Sequence, residues 1–320
     1  MPLCGLPFYF INHSKQIIIM KKYFMMAAAM LFAASCSNDS ELTNVVENNA
    51  EQATAPVRVH VNDFSVSMTE IPGGGTTRAA QDVIDYTDVK AVDLAFYEGS
   101  TEVYKHTQLR SDNTTYTTFG EFECNLPVGN YTLVVVGRGY SNGDVFVLSS
   151  PTSAAYTTER ARETFCTTQD VTVTNAAPLD LSVTLSRVIA RLSILSTDIH
   201  PASVTHIRTS YGAGGKSFSP TTGLATVNTG FAVTNTGFWE QDGTLHVSNY
   251  TFLASDEQTM TITLEALDAG ENVLSTKVIP NVPLKRNRVT TLSGQIFTAG
   301  TSAASFKVET DWLEGNTVNF

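Results

Sequence analysis

Apolar and polar residues alternate strictly along much of this chain. In Val57-Arg58-Val59-His60-Val61 every second residue is apolar, and Leu179-Asp180-Leu181-Ser182-Val183-Thr184-Leu185 follows the same rule. A period of two predicts half-buried β-strands with one face on a core and one in water. Met260, Ile262 and Leu264 alternate with threonine as they approach Asp268-Ala269-Gly270. Phe306, Val308 and Trp312 predict a last strand, with Thr310 on the same face. Turn residues separate such runs at Gly73-Gly74-Gly75, Glu98-Gly99, Ser141-Asn142-Gly143-Asp144, Gly212 to Gly215 and Asp242-Gly243. These are residues that accept positive φ at little cost. One segment, Thr158 to Phe165, reads as helical, with Glu159, Arg160, Arg162 and Glu163 on its exposed face. The expectation is an all-β body of sandwiches with one minor helix.

The 320 residues are enough for two domains of ordinary size. A faint repeat supports that division. Val92 to Leu109 reads as strand, Glu98-Gly99 turn, strand, followed by Asn125-Leu126-Pro127-Val128-Gly129-Asn130-Tyr131 and an apolar strand. Thr261 to Ile279 reads as strand, Ala269-Gly270 turn, strand, followed by Asn281-Val282-Pro283 and then Val289 and Leu292. The boundary is expected near Ser186, giving β-sandwiches over residues 56–185 and 186–320.

Composition agrees: 42% of residues are hydrophobic and only 16% charged, which suits strands better than charged, solvated helices. The formal net charge is −11, and the body of the chain has no large basic cluster. A phosphate backbone would be repelled, so nucleic acid is not an expected partner.

The N-terminus is a separate matter. Met20-Lys21-Lys22 is basic, Tyr23 to Phe32 is apolar, and Ala33-Ala34-Ser35 supplies small residues before Cys36. That is the layout of an export signal, and its apolar run is too short for a span of about twenty residues. Residues upstream of Met20 fit no part of it, so translation is expected to start at Met20. Leu31-Phe32-Ala33-Ala34-Ser35-Cys36 resembles the lipobox of bacterial lipoproteins, which implies cleavage after residue 35 and acylation of Cys36. Several acyl chains would give lasting attachment to membrane lipid. Ser37-Asn38-Asp39 and Glu41 resemble the acidic start of lipoproteins sent to the outer face of the outer membrane. Residues 36–55, acidic and amide-rich, read as a flexible tether. After signal removal Cys124 and Cys166 are the only thiols besides Cys36. They are candidates for a disulfide or for two buried free thiols, and spacing alone does not decide.

Taken in order, several segments resemble a family. They are the lipobox, Phe64-Ser65-Val66, Thr77-Arg78-Ala79, Asp93-Leu94-Ala95-Phe96-Tyr97, Leu185-Ser186-Arg187-Val188-Ile189-Ala190-Arg191-Leu192, and Val278 to Gly294 with its Pro280-Asn281-Val282-Pro283. Together they resemble the Bacteroidales fimbrillin superfamily of type V pilus proteins, in particular its lipoprotein minor or anchor subunits, over about residues 36 to 320. The resemblance implies two tandem transthyretin-like β-sandwiches and a surface-exposed outer-membrane lipoprotein that forms part of a fimbrium. It also implies partnership with other fimbrial subunits through strand addition, and adhesion to a host or bacterial surface ligand. In polymerising members a protease cuts after an arginine and removes the first strand, and the bond between Arg78 and Ala79 is the matching position here. Anchor-type members keep that strand, and Arg78 then reads as an ordinary loop arginine.

Candidate chemistry adds little. No His-Glu-x-x-His, paired-cysteine or calcium-loop spacing occurs, so neither a metal nor a cofactor is expected. Gly-x-Ser-x-Gly elbows and phosphate loops are absent from the sequence. Asp311 and Glu314 form a nominal carboxylate pair, better read as surface charge beside Trp312. No enzyme is expected. Arg187 and Arg191, four apart in a β-run, share a face; they either pair with acids near the domain junction or are solvated, the commoner case. Lys285, Arg286 and Arg288 read as a solvated turn or a docking site. Phe231, Phe238 and Trp239 form either core or an exposed platform for sugars, and the latter motivates an alternative function, a surface glycan-binding lipoprotein of a nutrient-uptake system.

Overall fold

The computed structural model describes residues 53–71, 75–83, 85–110, 119–241, 243–298 and 307–310, with 65–81, 239–241 and 307–310 described as backbone only. Among these residues all regular structure is strand. The first ten strands are β1 (Thr54–Ile71), β2 (Gly75–Asp82), β3 (Ala91–Glu98), β4 (Thr101–Leu109), β5 (Glu121–Pro127), β6 (Gly129–Arg138), β7 (Phe146–Ser150), β8 (Ser153–Tyr156), β9 (Thr164–Val173) and β10 (Leu179–Arg187). The second ten are β11 (Ala190–Ser196), β12 (His206–Tyr211), β13 (Ser217–Phe218), β14 (Phe231–Asn235), β15 (Trp239–Gln241), β16 (Thr244–Thr251), β17 (Glu257–Leu267), β18 (Val273–Lys285), β19 (Val289–Gly294) and β20 (Lys307–Thr310).

The pairing diagram is drawn twice. In the first half β1 lies antiparallel to β5 and parallel to β10, while β3 pairs β4 and β6, and β6 pairs β9. In the second half β11 lies antiparallel to β16 and parallel to β19, while β12 pairs β14 and β17, and β17 pairs β18. Seven strands in each half correspond one to one. The equivalences differ from those expected from turn residues. The β3–β4 hairpin matches β12 and β14, whereas β17–β18 matches β6 and β9. The inserted strands β7, β8, β13 and β15 change the spacing between matching strands, so turn-to-turn distances do not align.

Period-two burial fills a core inside each half. Val57, Val59, Val61 and Phe64 of β1 pack with Leu94, Phe96, Leu133, Val135, Val183 and Leu185. Leu192 and Ile194 of β11 pack with Ile207, Leu264, Val282 and Leu292. A third cluster joins the halves: Ala95, Tyr97, Val134, Val136 and Cys166 from the outer face of the first sheet meet Leu148, Tyr156, Phe218 and Phe252. That cover is the three-stranded sheet β7–β8–β13, with β13 contributed by the second half, together with Phe252 just after β16. Because both its faces are covered, β3 is buried from Ala91 to Tyr97 and reads as an unbroken apolar run.

The segment expected to be helical is not. Residues 157–163 are irregular and β9 begins at Thr164. An eight-residue helix has little stability of its own, and these side chains have other partners. Glu159 accepts the backbone N–H of Thr234, while Arg160 donates to the Thr234 carbonyl and to Asn235. Together they cap the open edge of β14. Arg162 pairs with Asp144 at 2.8 Å, and Glu163 is buried.

Candidate functional site

The most distinctive site is the slot that β1 occupies. Residues Val57 to Ser65 pair with β10 on one side, and Thr54 to His60 pair with β5 on the other. The inward residues Ala55, Val57, Val59 and Val61 alternate with Pro56, Arg58, His60 and Asn62. A register shift between Val61 and Asp63 resets the phase, and Phe64 rather than Asp63 then turns inward. Beyond Ser65 the strand leaves β10 and, among the described residues, pairs with β2 alone, Ser67–Ile71 running against Gly75–Ala79 as a two-stranded ribbon. Arg78 and Ala79 lie opposite Met68 and Ser67 in β2, so Arg78 stands in a strand and not in the loop expected for an ordinary surface arginine.

Phe64 closes the inner end of the slot. Its ring packs on Phe165 at 5.0 Å and on Tyr86 at 5.8 Å between centroids. A Cβ at Gly137 would stand 2.7 Å from that ring, so only glycine leaves room for it. Above this aromatic floor lies a buried polar node. Tyr86 donates its hydroxyl hydrogen to Glu163 Oε1 at 2.8 Å and accepts one from Arg187 Nη2 at 2.8 Å. Arg187 pairs with Glu163 at 2.7 Å, both side chains being more than nine-tenths buried. Burial, the adjacent Glu163 carboxylate and its hydrogen bond push the Tyr86 hydroxyl well above the ordinary tyrosine range, so it stays protonated. Arg187 Nη1 donates to Asn287 Oδ1 at 3.1 Å, bringing in the turn between β18 and β19.

Arg187 is therefore paired and buried, contrary to the solvated reading. It also shares no face with Arg191, because β10 ends at Arg187 and β11 starts at Ala190. Arg191 stays on the outer side of β11 and donates to Ser248. Lys285 and Arg286 do flank a turn, and both are ion-paired, with Glu257 and Asp256.

Cys124 and Cys166 form no disulfide; both are free thiols. Cys124, on β5, packs against the first core, while Cys166, on β9, faces the junction with Sγ toward the Pro220 carbonyl. They serve different cores. Burial pushes the Cys124 thiol up to about 11 and that of Cys166 higher still, which keeps both in the thiol form near neutral pH.

Phe231 stacks on Tyr211 at 4.8 Å, and Phe238 packs edge-on against His200 at 5.0 Å. Both belong to the margin of the second core; of Trp239 only the backbone in β15 is described. Among the described residues no cluster of His, Cys, Asp and Glu could hold a metal ion. Cys36, Asp311, Trp312 and Glu314, together with residues 1–52, lie outside the described residues.

Sequence reasoning missed Phe64, Tyr86, Glu163 and Asn287 as a connected set. One signal was present: Val183, Leu185 and Arg187 are in phase, which puts Arg187 on the buried face of β10.

The molecule is thus an all-β protein built from a repeated seven-strand plan. Residues 54–315 match the model of a family of unknown function, DUF6562, and the chain belongs to it. No curated protein matches the chain in sequence. A DUF1812 protein from Bacteroides thetaiotaomicron, described as a candidate polysaccharide-binding protein, shares the fold: the TM-score is 0.50 at 9% identity, covering 82% of this chain and 99% of that one. A candidate adhesin from Bacteroides ovatus is similar at TM-score 0.49 and 11% identity, covering 83% and 98%. The fimbrial anchor protein Mfa2 from Porphyromonas gingivalis is similar at TM-score 0.45 and 9% identity, covering 81% and 98%.

Proposed function

We propose that this chain is a structural subunit of surface fimbriae, an anchor or accessory pilin held to the outer membrane through acylated Cys36. It joins other subunits by strand addition and contributes to adhesion. The observation that carries this reading is the position of β1, an N-terminal strand between β5 and β10 whose inward side chains fill the first core. A cut after Arg78 would separate β1 from the rest of the chain and leave β5 and β10 with open edges. A neighbour's strand with alternate apolar residues would restore both hydrogen-bond ladders and the core. Left uncut, the filled slot ends a fibre; cut, it extends one.

The N-terminus of protein taken from cells separates these roles. An acylated start at Cys36 marks an uncut anchor and a start at Ala79 marks a polymerising subunit. Fimbriae sheared from cells should carry the chain, and cells lacking it should show altered fimbriae. Unchanged fimbriae in such cells, and no chain in the sheared material, would overturn the proposal. Glycan capture is the second reading, motivated by the description of the Bacteroides thetaiotaomicron neighbour. It requires binding on a glycan array that Trp239→Ala abolishes while the circular dichroism spectrum is unchanged.

A further inference from the structure

We infer that the strand in the β1 slot controls how firmly the two halves of the molecule are joined, with Phe64 as the coupling residue. The junction has two flanks. One is aromatic: Phe146 and Tyr156 of the first half enclose Phe218 and Phe252 of the second, and Phe218 stacks on Phe252 at 4.4 Å. The β8–β13 pairing and a hydrogen bond from Thr221 N–H to the Pro151 carbonyl reinforce it. Among the described residues β1 supplies none to this flank.

The other flank is polar and rests on β1. Phe64 supports Tyr86 and Phe165, and the Arg187 guanidinium lies 4.7 Å from the Phe165 ring centroid. Tyr86 and Glu163 hold that guanidinium, and Arg187 in turn holds Asn287. Asn287 is buried, adopts φ 57°, and donates its N–H to the Ile189 carbonyl at 3.0 Å. One row of contacts therefore runs from β1 to the turn between β18 and β19. A buried ion pair tolerates little loss of geometry, because its attraction must offset the desolvation of both charges. Withdrawing Phe64 opens a void beneath Tyr86 and Phe165, and the pair above loses its fixed support. The second half then pivots on the aromatic flank.

The significance for fibre assembly rests on the strand-addition reading above; the coupling does not, and it is tested on the full uncut chain. Hydrogen exchange should be followed in Phe64→Ala and Val59→Ala proteins. Val59 sits on the same strand, five residues and roughly 16 Å away at about 3.3 Å per residue, and faces the first core. Phe64→Ala is expected to accelerate exchange at least tenfold at the Asn287 amide, which bonds the second half to the Ile189 carbonyl of the linker, and at the Val188 amide, which bonds the linker to the Thr164 carbonyl of β9. Val59→Ala is expected to accelerate β1 and β5 while leaving those two amides at their original rates. If Phe64→Ala does not fold, Phe64→Leu gives the same comparison at smaller amplitude. Junction amides unmoved by the Phe64 change, or moved equally by both, would overturn the coupling. Failure of the strand-addition reading would appear elsewhere: a chain beginning at Ala79 would not bind a synthetic peptide of residues 53–71.

Discussion

β1 and β11 hold the same place in the repeated plan, each between an antiparallel neighbour and a parallel one. They are otherwise unlike. β11 has seven residues and is joined closely at its N-terminal end, two residues after β10. β1 has eighteen, runs past its parallel partner, and continues into a ribbon that no third strand supports among the described residues. The lesson is that the same slot can hold a strand joined closely to the strand before it or one whose connection to the rest of the fold leaves through a long ribbon. Under the strand-addition proposal only the second kind could be exchanged, once the chain is cut after Arg78.

The largest expected effect lies at Arg187, which joins the Tyr86 and Phe165 rings that rest on Phe64 of β1 to Asn287 in the turn before β19, the parallel partner of β11. Arg187→Met leaves the Glu163 carboxylate buried without its cation and should cost about 3–5 kcal/mol in urea unfolding. Adding Glu163→Gln should restore a large part of it, since the stranded charge is then gone. Equal losses in the single and double variants would mean that Arg187 acts through packing alone.

Core truncations compare the strands directly. Ile194→Ala in β11 should lower global stability by about 2–5 kcal/mol and shift every probe of unfolding together. Val59→Ala in β1 should cost about 1.5–3 kcal/mol, with hydrogen exchange fastest along β1 itself, because that strand can open with fewer covalent constraints. Uniform protection across β1 and β11 would erase the distinction between fixed and exchangeable strands.

Much of this arrangement was legible in advance, and what was not has physical causes. Strict alternation located β1, β10 and β17, where one face meets water. It could not place Phe64, because the register shift after Val61 breaks the period just before it. Nor could it describe β3, whose outer face is covered by strands from two distant segments. Residues 158–165 carry charges at helical spacing, but those charges are directed to Asn235, Asp144 and Arg187. Such long-range partners leave no local pattern. The repeat was visible, but turn residues are poor markers of equivalence when inserted strands change the spacing. Partner identity is the better marker, and it appears only when the sheets form.

The exit from β11 offers a pH test. Asp198 accepts backbone N–H groups from Ile296, Phe297 and Thr298 at 2.7–2.9 Å, tying the segment after β19 to the exit from β11. Partial burial acts to raise its pKa, but these donors outweigh burial and hold the carboxyl below the usual range. A depressed folded pKa means that the stabilisation is fully present above the unfolded value of about 4 and is lost as pH falls through the folded one. Asp198→Asn should therefore lower the melting temperature near neutral pH, and the gap from the parent should close in acid. A gap that stays constant from pH 7 to pH 2 would show that the tie does not depend on charge.

The smallest effects separate the outer faces of the two strands. Arg58 on β1 pairs with Glu123 of β5 at 2.9 Å, both side chains more than half exposed, whereas Arg191 on β11 donates to the neutral Ser248 hydroxyl at 3.0 Å. Each cross-strand contact should contribute at most about 1 kcal/mol. They should respond differently to salt, since an exposed ion pair is screened over a Debye length of about 10 Å at 0.1 M and about 3 Å at 1 M. Arg58→Ala should thus cost several tenths of a kcal/mol in dilute buffer and about nothing in 1 M sodium chloride, while the cost of Arg191→Ala should be nearly the same in both. If β1 is the exchangeable strand, its outer contacts are the ones that ionic strength can weaken while the core residues beneath stay in place. A salt-independent Arg58 contact would mean that β1 is held as firmly on its outer face as β11.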